Sequence, residues 1–318
     1  MKFLAGVPRF VFFTGKGGVG KTSIACAAAV TLARAGRRLL LVSTDPASNV
    51  GQVFGVTVGN TVTAIAGVPG LWALEIDPEQ AVTDYRERIL APMRGVLPEA
   101  DIASMTEQLS GSCTTEVASF NEFTALLTDE TSGYDHVLFD TAPTGHTIRL
   151  LQLPGSWSEF LTGGGDASCL GPLSGLDKQK AVYAAAVDAT GSYHRDIVRQ
   201  MAPGTRFVTP LMRLQNPEAT KVLLITLPET TPVLEAAELQ ADLERAGIHP
   251  WAWVIDNSLA AAAPTDPLLR RRAAAELDQI HRATTYTDRY AVIPALAEEP
   301  VGIPALAALT RPTHTAAG

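Results

Sequence analysis

The chain has 318 residues, 46% hydrophobic and 18% charged, with a formal net charge of −8. This length allows one large α/β domain, and the acidity argues against both a nucleic-acid face and a polybasic membrane anchor, each of which needs a basic patch. No apolar run approaches bilayer-spanning length and Met1 to Leu4 leads straight into the first apolar run, so a cytosolic protein is expected, with Cys26, Cys113 and Cys169 kept as thiols.

The first apolar run, Phe10-Val11-Phe12-Phe13, precedes the loop Gly15-Lys16-Gly17-Gly18-Val19-Gly20-Lys21-Thr22, and a small-residue helix is predicted from Ser23 to Ala33. The loop fits G-x-x-x-x-G-K-[ST] in the strand–loop–helix setting that a phosphate cradle requires. Glycines let backbone N–H groups approach an anion, and the helix N-terminus adds its positive end. Lys21 is expected to reach the β- and γ-phosphates of a nucleoside triphosphate, and the Thr22 hydroxyl to bind Mg²⁺. Lys16 gives the pattern K-G-G-V-G-K-T. It sits too far from its own γ-phosphate for an obvious role within one chain, but could reach a nucleotide held by a facing subunit. Cys26, within Ile24-Ala25-Cys26-Ala27, reads as a packing residue.

Further strands are predicted at about residues 38–45, 71–77, 135–141, 221–227, 250–257 and 289–294, after the one at 10–15. Short, nearly continuous apolar runs alternating with helical segments indicate a doubly wound α/β fold, a mostly parallel sheet covered on both faces. The expectation is a single P-loop domain over 1–318 with helical inserts at about 78–134 and 144–200, and a polar tail at 310–318 that frays.

Ligands in such sheets sit beyond the carboxyl ends of the strands. Asp45 follows the second predicted strand in Ser43-Thr44-Asp45-Pro46-Ala47-Ser48-Asn49, and is placed to position or deprotonate an attacking water. Asp140 ends Val137-Leu138-Phe139, ahead of Thr141-Ala142-Pro143-Thr144-Gly145-His146-Thr147, and fits the carboxylate that holds Mg²⁺ through a water. For each aspartate a helix-cap or turn role is the alternative.

The phosphate loop, Ser43 to Asn49, and Asp140 to Leu151 together resemble the arsenical pump-driving ATPases. These belong to the deviant P-loop group of face-to-face dimers, which also contains the ATPase that targets tail-anchored membrane proteins. The stretches Leu109-Ser110-Gly111-Ser112-Cys113-Thr114-Thr115-Glu116 and Ala167-Ser168-Cys169-Leu170-Gly171-Pro172 resemble the arsenical branch in particular. The likeness covers essentially the whole chain. Well-known members join two homologous halves, whereas this chain is one half long. Through about Val187 it resembles their first half, and from Asp188 their second.

This resemblance implies ATP hydrolysis with Mg²⁺, stimulated by As(III) or Sb(III) as both allosteric ligand and cargo. Gly15, Lys16, Gly17, Gly18, Val19, Gly20, Lys21 and Thr22 would hold the phosphates. Lys16, Lys21 and Asp45 would serve catalysis, and Asp140 would hold the metal through water. Asn257 would read the adenine, with the loop from Pro294 to Pro300 packed on the base. Cys113 and Cys169 would bind the metalloid, with His146 relaying its occupancy. Trivalent arsenic is thiophilic and takes three thiolates, so two chains, offering four, would pair. The implied partners are a second copy, a membrane arsenite-efflux protein that recruits the ATPase to the inner membrane face, and an arsenic metallochaperone. The competing reading is a targeting ATPase for tail-anchored proteins, against which stand five methionines and the lack of a Cys-x-x-Cys. A nitrogenase-type iron–sulfur carrier and a partition ATPase rank lower.

Overall fold

The computed structural model describes residues 4, 6–44, 50–95, 97–110, 118, 122–123, 125–127, 131, 133–141 and 210–310. They fall into two compact units, one formed by 1–75, 132–145 and 214–318 and the other by 76–131 and 146–213.

In the first unit the seven predicted strands are all present. They are β1 (Phe10–Thr14), β2 (Leu39–Ser43), β4 (Leu71–Glu75), β5 (His136–Asp140), β6 (Thr220–Thr226), β7 (Ala252–Ser258) and β8 (Tyr290–Pro294). An eighth, β3 (Thr63–Ala64), was not expected. It is two residues long and pairs antiparallel at the sheet edge with β4. The described strands run in the order β3-β4-β2-β5-β1-β6-β7-β8, and every pair but β3–β4 is parallel. β1 therefore lies at the point where the chain turns from one flank of the sheet to the other, the position at which open α/β sheets form their ligand crevice.

Side chains alternate across the sheet. Val11 and Phe13 join the core around helix α1 (Lys21–Arg34). Phe12 projects from the other face and stacks on Phe139, ring centroids 4.5 Å apart. Helix α1 is buried over most of its surface, with Ala25, Ala27, Ala28 and Ala29 inaccessible. Small side chains are what let one helix lie close to a sheet while others cover its back. Short α2 (Val50–Phe54) and α9 (Ile303–Leu309) pack against it. Cys26 is fully buried there, and burial beside Asp140 and Glu75 holds its thiol well above the usual range. Thr310, at the end of α9, is buried and hydrogen-bonded to Thr31.

On the other flank lie α6 (Thr230–Arg245), α7 (Leu259–Ala262) and α8 (Pro267–Thr284). Trp253 of β7 is fully buried and donates from Nε1 to Gln240 of α6 at 2.7 Å. Asp266 caps α8, accepting from Leu268 N–H at 2.9 Å and Leu269 N–H at 3.0 Å, with Pro267 at the first helical position. α5 (Pro210–Gln215) leads into β6.

The second unit contains α3 (Pro78–Leu90), a 3-10 turn (Ala91–Met93) and α4 (Glu99–Gln108). Asp77 caps α3 through the N–H groups of Glu79 and Gln80. Val82, Tyr85, Ile89, Met93 and Met105 form its core. Among the described residues no helix is long and apolar enough to cross a membrane.

Candidate nucleotide site

β1 ends at Thr14, and residues 15–20 turn the chain into α1, which starts at Lys21. Two glycines are required by what surrounds them. At Gly15 a Cβ would collide with the carbonyl oxygen of Ile225 on β6, so the loop leaves β1 tight against the neighbouring strand. At Gly20 the backbone is left-handed, φ +85°, and a Cβ would strike the carboxylate of Asp256. No side chain caps α1, so the positive end of the helix faces the loop, as anion binding at a helix start needs.

The P-loop lysine is 5% exposed, and its Nζ donates to the backbone carbonyl of Lys16 at 3.1 Å. A buried ammonium held on the loop's own backbone is positioned to exchange that carbonyl for a phosphate oxygen. Lys16 itself is half-buried.

Thr22, in the first turn of α1, donates from Oγ1 to Oδ2 of Asp140 at 2.7 Å. Asp140 is the last residue of β5 and fully buried. The register sets it beside Phe13 of β1 and Ser43 of β2. Its surroundings are stitched together: Thr44 N–H donates to the Asp140 carbonyl at 2.9 Å and Thr141 N–H to that of Phe13 at 3.1 Å. A hydroxyl and a carboxylate converging beside a phosphate loop are hard oxygen donors of the kind Mg²⁺ uses with substrate phosphates. The residues present fit that ion, which Thr22 and Asp140 would hold. When bound it would neutralise charge on the β- and γ-phosphates.

Beyond the glycine loop opens a cavity of about 390 Å³, lined by Gly18, Gly20, Asn257, Pro294, Glu299 and, unforeseen from the sequence, Asp256. Asn257 and Pro294, which the resemblance assigns to the base, thus line the same cavity as the loop. Asn257 has φ +55°, and the β7–β8 register breaks between Ile255 and Ser258. This bulge turns the end of β7 toward the cavity. It is pinned by Glu276 of α8, whose Oε2 accepts from Ser258 Oγ and Ala260 N–H, each at 3.0 Å. Burial pushes the Asp256 carboxyl up to about 6, while the Asn257 N–H pulls it the other way. The signal that could have revealed Asp256 is an acid closing the apolar run Trp253-Val254-Ile255.

Asp45, Cys113, His146 and Cys169 lie outside the described residues. Among the described residues no cluster of three or more His, Cys, Asp or Glu side chains could hold a metal ion.

A glycine loop at the switch point of a parallel sheet, with a buried lysine and a threonine–aspartate pair at its rim, defines a P-loop nucleoside triphosphatase. Within that class the chain belongs to the Anion-transporting ATPase family, whose sequence profile matches residues 8–312, and ATP hydrolysis is the activity the family carries. It is similar to the arsenical pump-driving ATPase of Escherichia coli, 33% identical over 575 aligned residues covering 95% of this chain and 99% of that one. That aligned length exceeds the 318 residues present, so this chain matches that protein in more than one place. The arsenical pump-driving ATPase of Acidiphilium multivorum matches to the same extent. ATPase GET3 of Kluyveromyces lactis is 31% identical over 250 residues, covering 74% of this chain and 68% of that one.

Proposed function

We propose that the chain is a dimeric, metalloid-stimulated ATPase that energises arsenite or antimonite efflux through a membrane partner. The observation that carries this reading is the match to arsenical pump-driving ATPases along 95% of the chain, joined to a phosphate loop whose lysine, threonine and aspartate are already assembled.

In this reading the loop N–H groups, Lys21 and the start of α1 bind the triphosphate. Thr22 and Asp140 hold Mg²⁺. Asp45, one residue beyond Thr44 at the exit of β2, orients the attacking water. Lys16 reaches the phosphates of the partner subunit. Phosphoryl transfer depends on position and charge neutralisation, so a site completed only on closure hydrolyses ATP when closed and hardly at all when open. The metalloid enters as cargo and is held by Cys113 and Cys169 from each of two subunits. To drive closure it must bind the closed pair more tightly than the open one. One chain supplies fewer thiols than trivalent arsenic takes, which is why pairing and stimulation belong together.

A targeting ATPase is the second reading, supported by the similarity to ATPase GET3 over three quarters of the chain. ATPase rate with and without arsenite and antimonite, measured alongside solution mass, separates the two. The first reading requires a severalfold rise in rate together with dimer formation. A monomer whose rate ignores both metalloids overturns it.

A further inference from the structure

The charge of −8 carried by the whole chain is reversed on one helix. α8 (Pro267–Thr284) holds Arg270, Arg271, Arg272 and Arg282 against only two acids, Glu276 and Asp278. Glu276 is turned inward, its Oε2 accepting from Ser258 and Ala260. All four arginines are exposed, with His281 beside them. Among the described residues Arg38, Arg88, Arg94 and Arg245 have carboxylate partners, and none of the four on α8 does. Guanidinium groups left in this state suit oxyanions, carboxylate or phosphate, arriving from outside the chain.

The packing of α8 turns these charges outward. Only Ala273 and Ala283 of its 18 residues are buried. At the helical period the face opposite them carries Arg271, Ala274, Ala275, Asp278 and Arg282. The small side chains leave the guanidinium groups unobstructed, with Asp278 the one acid among them. Leu268 and Leu277 flank this row, and they are the most exposed large hydrophobic residues among those described, at 59% and 58%. Tyr286 and Tyr290, just past the end of the helix, are exposed as well. Exposed leucines and tyrosines set among unpaired arginines match a membrane interface, where cations meet headgroup phosphates and the apolar groups sit at the headgroup boundary. Since no described helix is long and apolar enough to cross a bilayer, such a contact is made at its surface.

We propose that the outer face of α8 is a docking surface for an anionic membrane, with Arg270, Arg271 and Arg282 on headgroup phosphates and Leu268 and Leu277 set between the headgroups. The proposal rests on the efflux reading for its choice of partner, and names the surface that the chain presents to the bilayer. Charge decides between the lipid and a membrane protein. Short cytoplasmic loops of membrane proteins carry an excess of Lys and Arg, which would repel α8, whereas the lipids of that leaflet are anionic. None of these α8 residues lines the nucleotide cavity, so membrane contact and ATP binding use separate surfaces.

The test is co-sedimentation of the full chain with vesicles of phosphatidylcholine alone and of equal parts phosphatidylcholine and phosphatidylglycerol. The wild type is expected to sediment with the anionic vesicles only, and to be released in about 1 M salt, which screens charges beyond a few ångströms. Arg270→Gln, Arg271→Gln and Arg282→Gln combined should weaken this partitioning by about a hundredfold, since each cation near an anionic surface contributes roughly a fivefold factor. Lysine at the same three positions keeps the charge and should keep most of the binding. The three side chains are exposed, so the ATPase rate without metalloid should be unchanged in both variants. A wild type that ignores anionic vesicles overturns the proposal, as does a glutamine variant that binds them as tightly as the wild type. Binding of a short DNA duplex through the same arginines, with none to vesicles, overturns it in favour of a nucleic-acid face. Arsenite stimulation measured without vesicles decides the efflux reading separately: its loss beside intact vesicle binding overturns that reading and leaves the membrane face standing.

Discussion

Thr22 Oγ1 and Asp140 Oδ2 stand 2.7 Å apart, joining the first turn of α1 to the end of β5 across the mouth of the phosphate loop. The two residues are far apart in sequence but share one hydrogen bond, and they supply unlike oxygen donors, a hydroxyl and a carboxylate. Their role as a unit makes the first prediction. Thr22→Ala and Asp140→Asn should each lower ATP turnover by roughly a hundredfold or more, the scale seen when one charge-stabilising group is removed. The double variant should be hardly worse than either single one, because residues acting together lose their effect together. Rates measured against Mg²⁺ concentration check this. Additive losses, or an unchanged Mg²⁺ requirement in both single variants, would separate the two residues.

Gly20 meets Asp256 at the rim of the cavity, and this contact allows a double-mutant test. Gly20→Ala places a Cβ at φ +85° and against the Asp256 carboxylate. The left-handed backbone alone costs about 1–2 kcal/mol, and crowding adds about 1–3 kcal/mol. Thermal unfolding should fall by several degrees. Asp256→Ala in the same chain removes the crowding but not the backbone strain, so it should return part of the loss. Full recovery would mean that the glycine is needed only for space, and no recovery would mean that the carboxylate can move aside without cost.

Much of this arrangement could be read from the chain because it depends on local pattern. Apolar runs such as Leu39–Ser43 and Val137–Phe139 have few ways to be satisfied other than as buried parallel strands, and the P-loop carries its own spacing. The two-residue strand β3 left no such trace, since Thr63 and Ala64 are neither long enough nor apolar enough to mark a strand, and they pair only because β4 offers an edge. Helix α9 is similarly short, and it gains its place by packing on α1 rather than by any periodicity. Asp256 escapes a reading of the sequence for another reason. Its importance comes from a meeting with Gly20 that only the tertiary fold creates, whereas Asn257 beside it reads as a ligand-reading or turn residue from sequence alone.

The two cysteines expected to hold the metalloid supply a third prediction. Cys113→Ser replaces a soft thiolate with a hard hydroxyl, which trivalent arsenic binds poorly. The ratio of arsenite-stimulated to unstimulated ATPase rate should fall to about one in that variant, and likewise in Cys169→Ser. Cys26→Ser should retain the ratio, because Cys26 is sealed in the core beneath the sheet. Stimulation that persists in both Cys113→Ser and Cys169→Ser would remove the thiol clasp, and with it the link proposed between metalloid and dimer closure.

Asp256 supplies the last prediction, through the pH dependence of stability. Its carboxyl is pushed up to about 6 in the folded chain by burial, against an ordinary value near 4 in the unfolded one. A raised carboxyl stabilises the fold while protonated in both states, below the unfolded value, and that contribution is lost as pH rises through the folded value. Burial is the cause of the rise, and the Asn257 N–H works against it; of the charged groups around it, Glu298 and Glu299 line the same cavity, Glu276 is engaged with Ser258 and Ala260, and Lys21 donates to the Lys16 carbonyl. A gap of that size between the folded and unfolded chains is worth about 2–3 kcal/mol. Asp256→Asn keeps the shape without the charge. It should therefore change thermal stability little at pH 4 and raise it by several degrees at pH 7.5, with the gap opening between about pH 4 and 6. Melting curves of both proteins across that range decide the matter, and a constant difference between them would show that ionisation of Asp256 does not burden the fold.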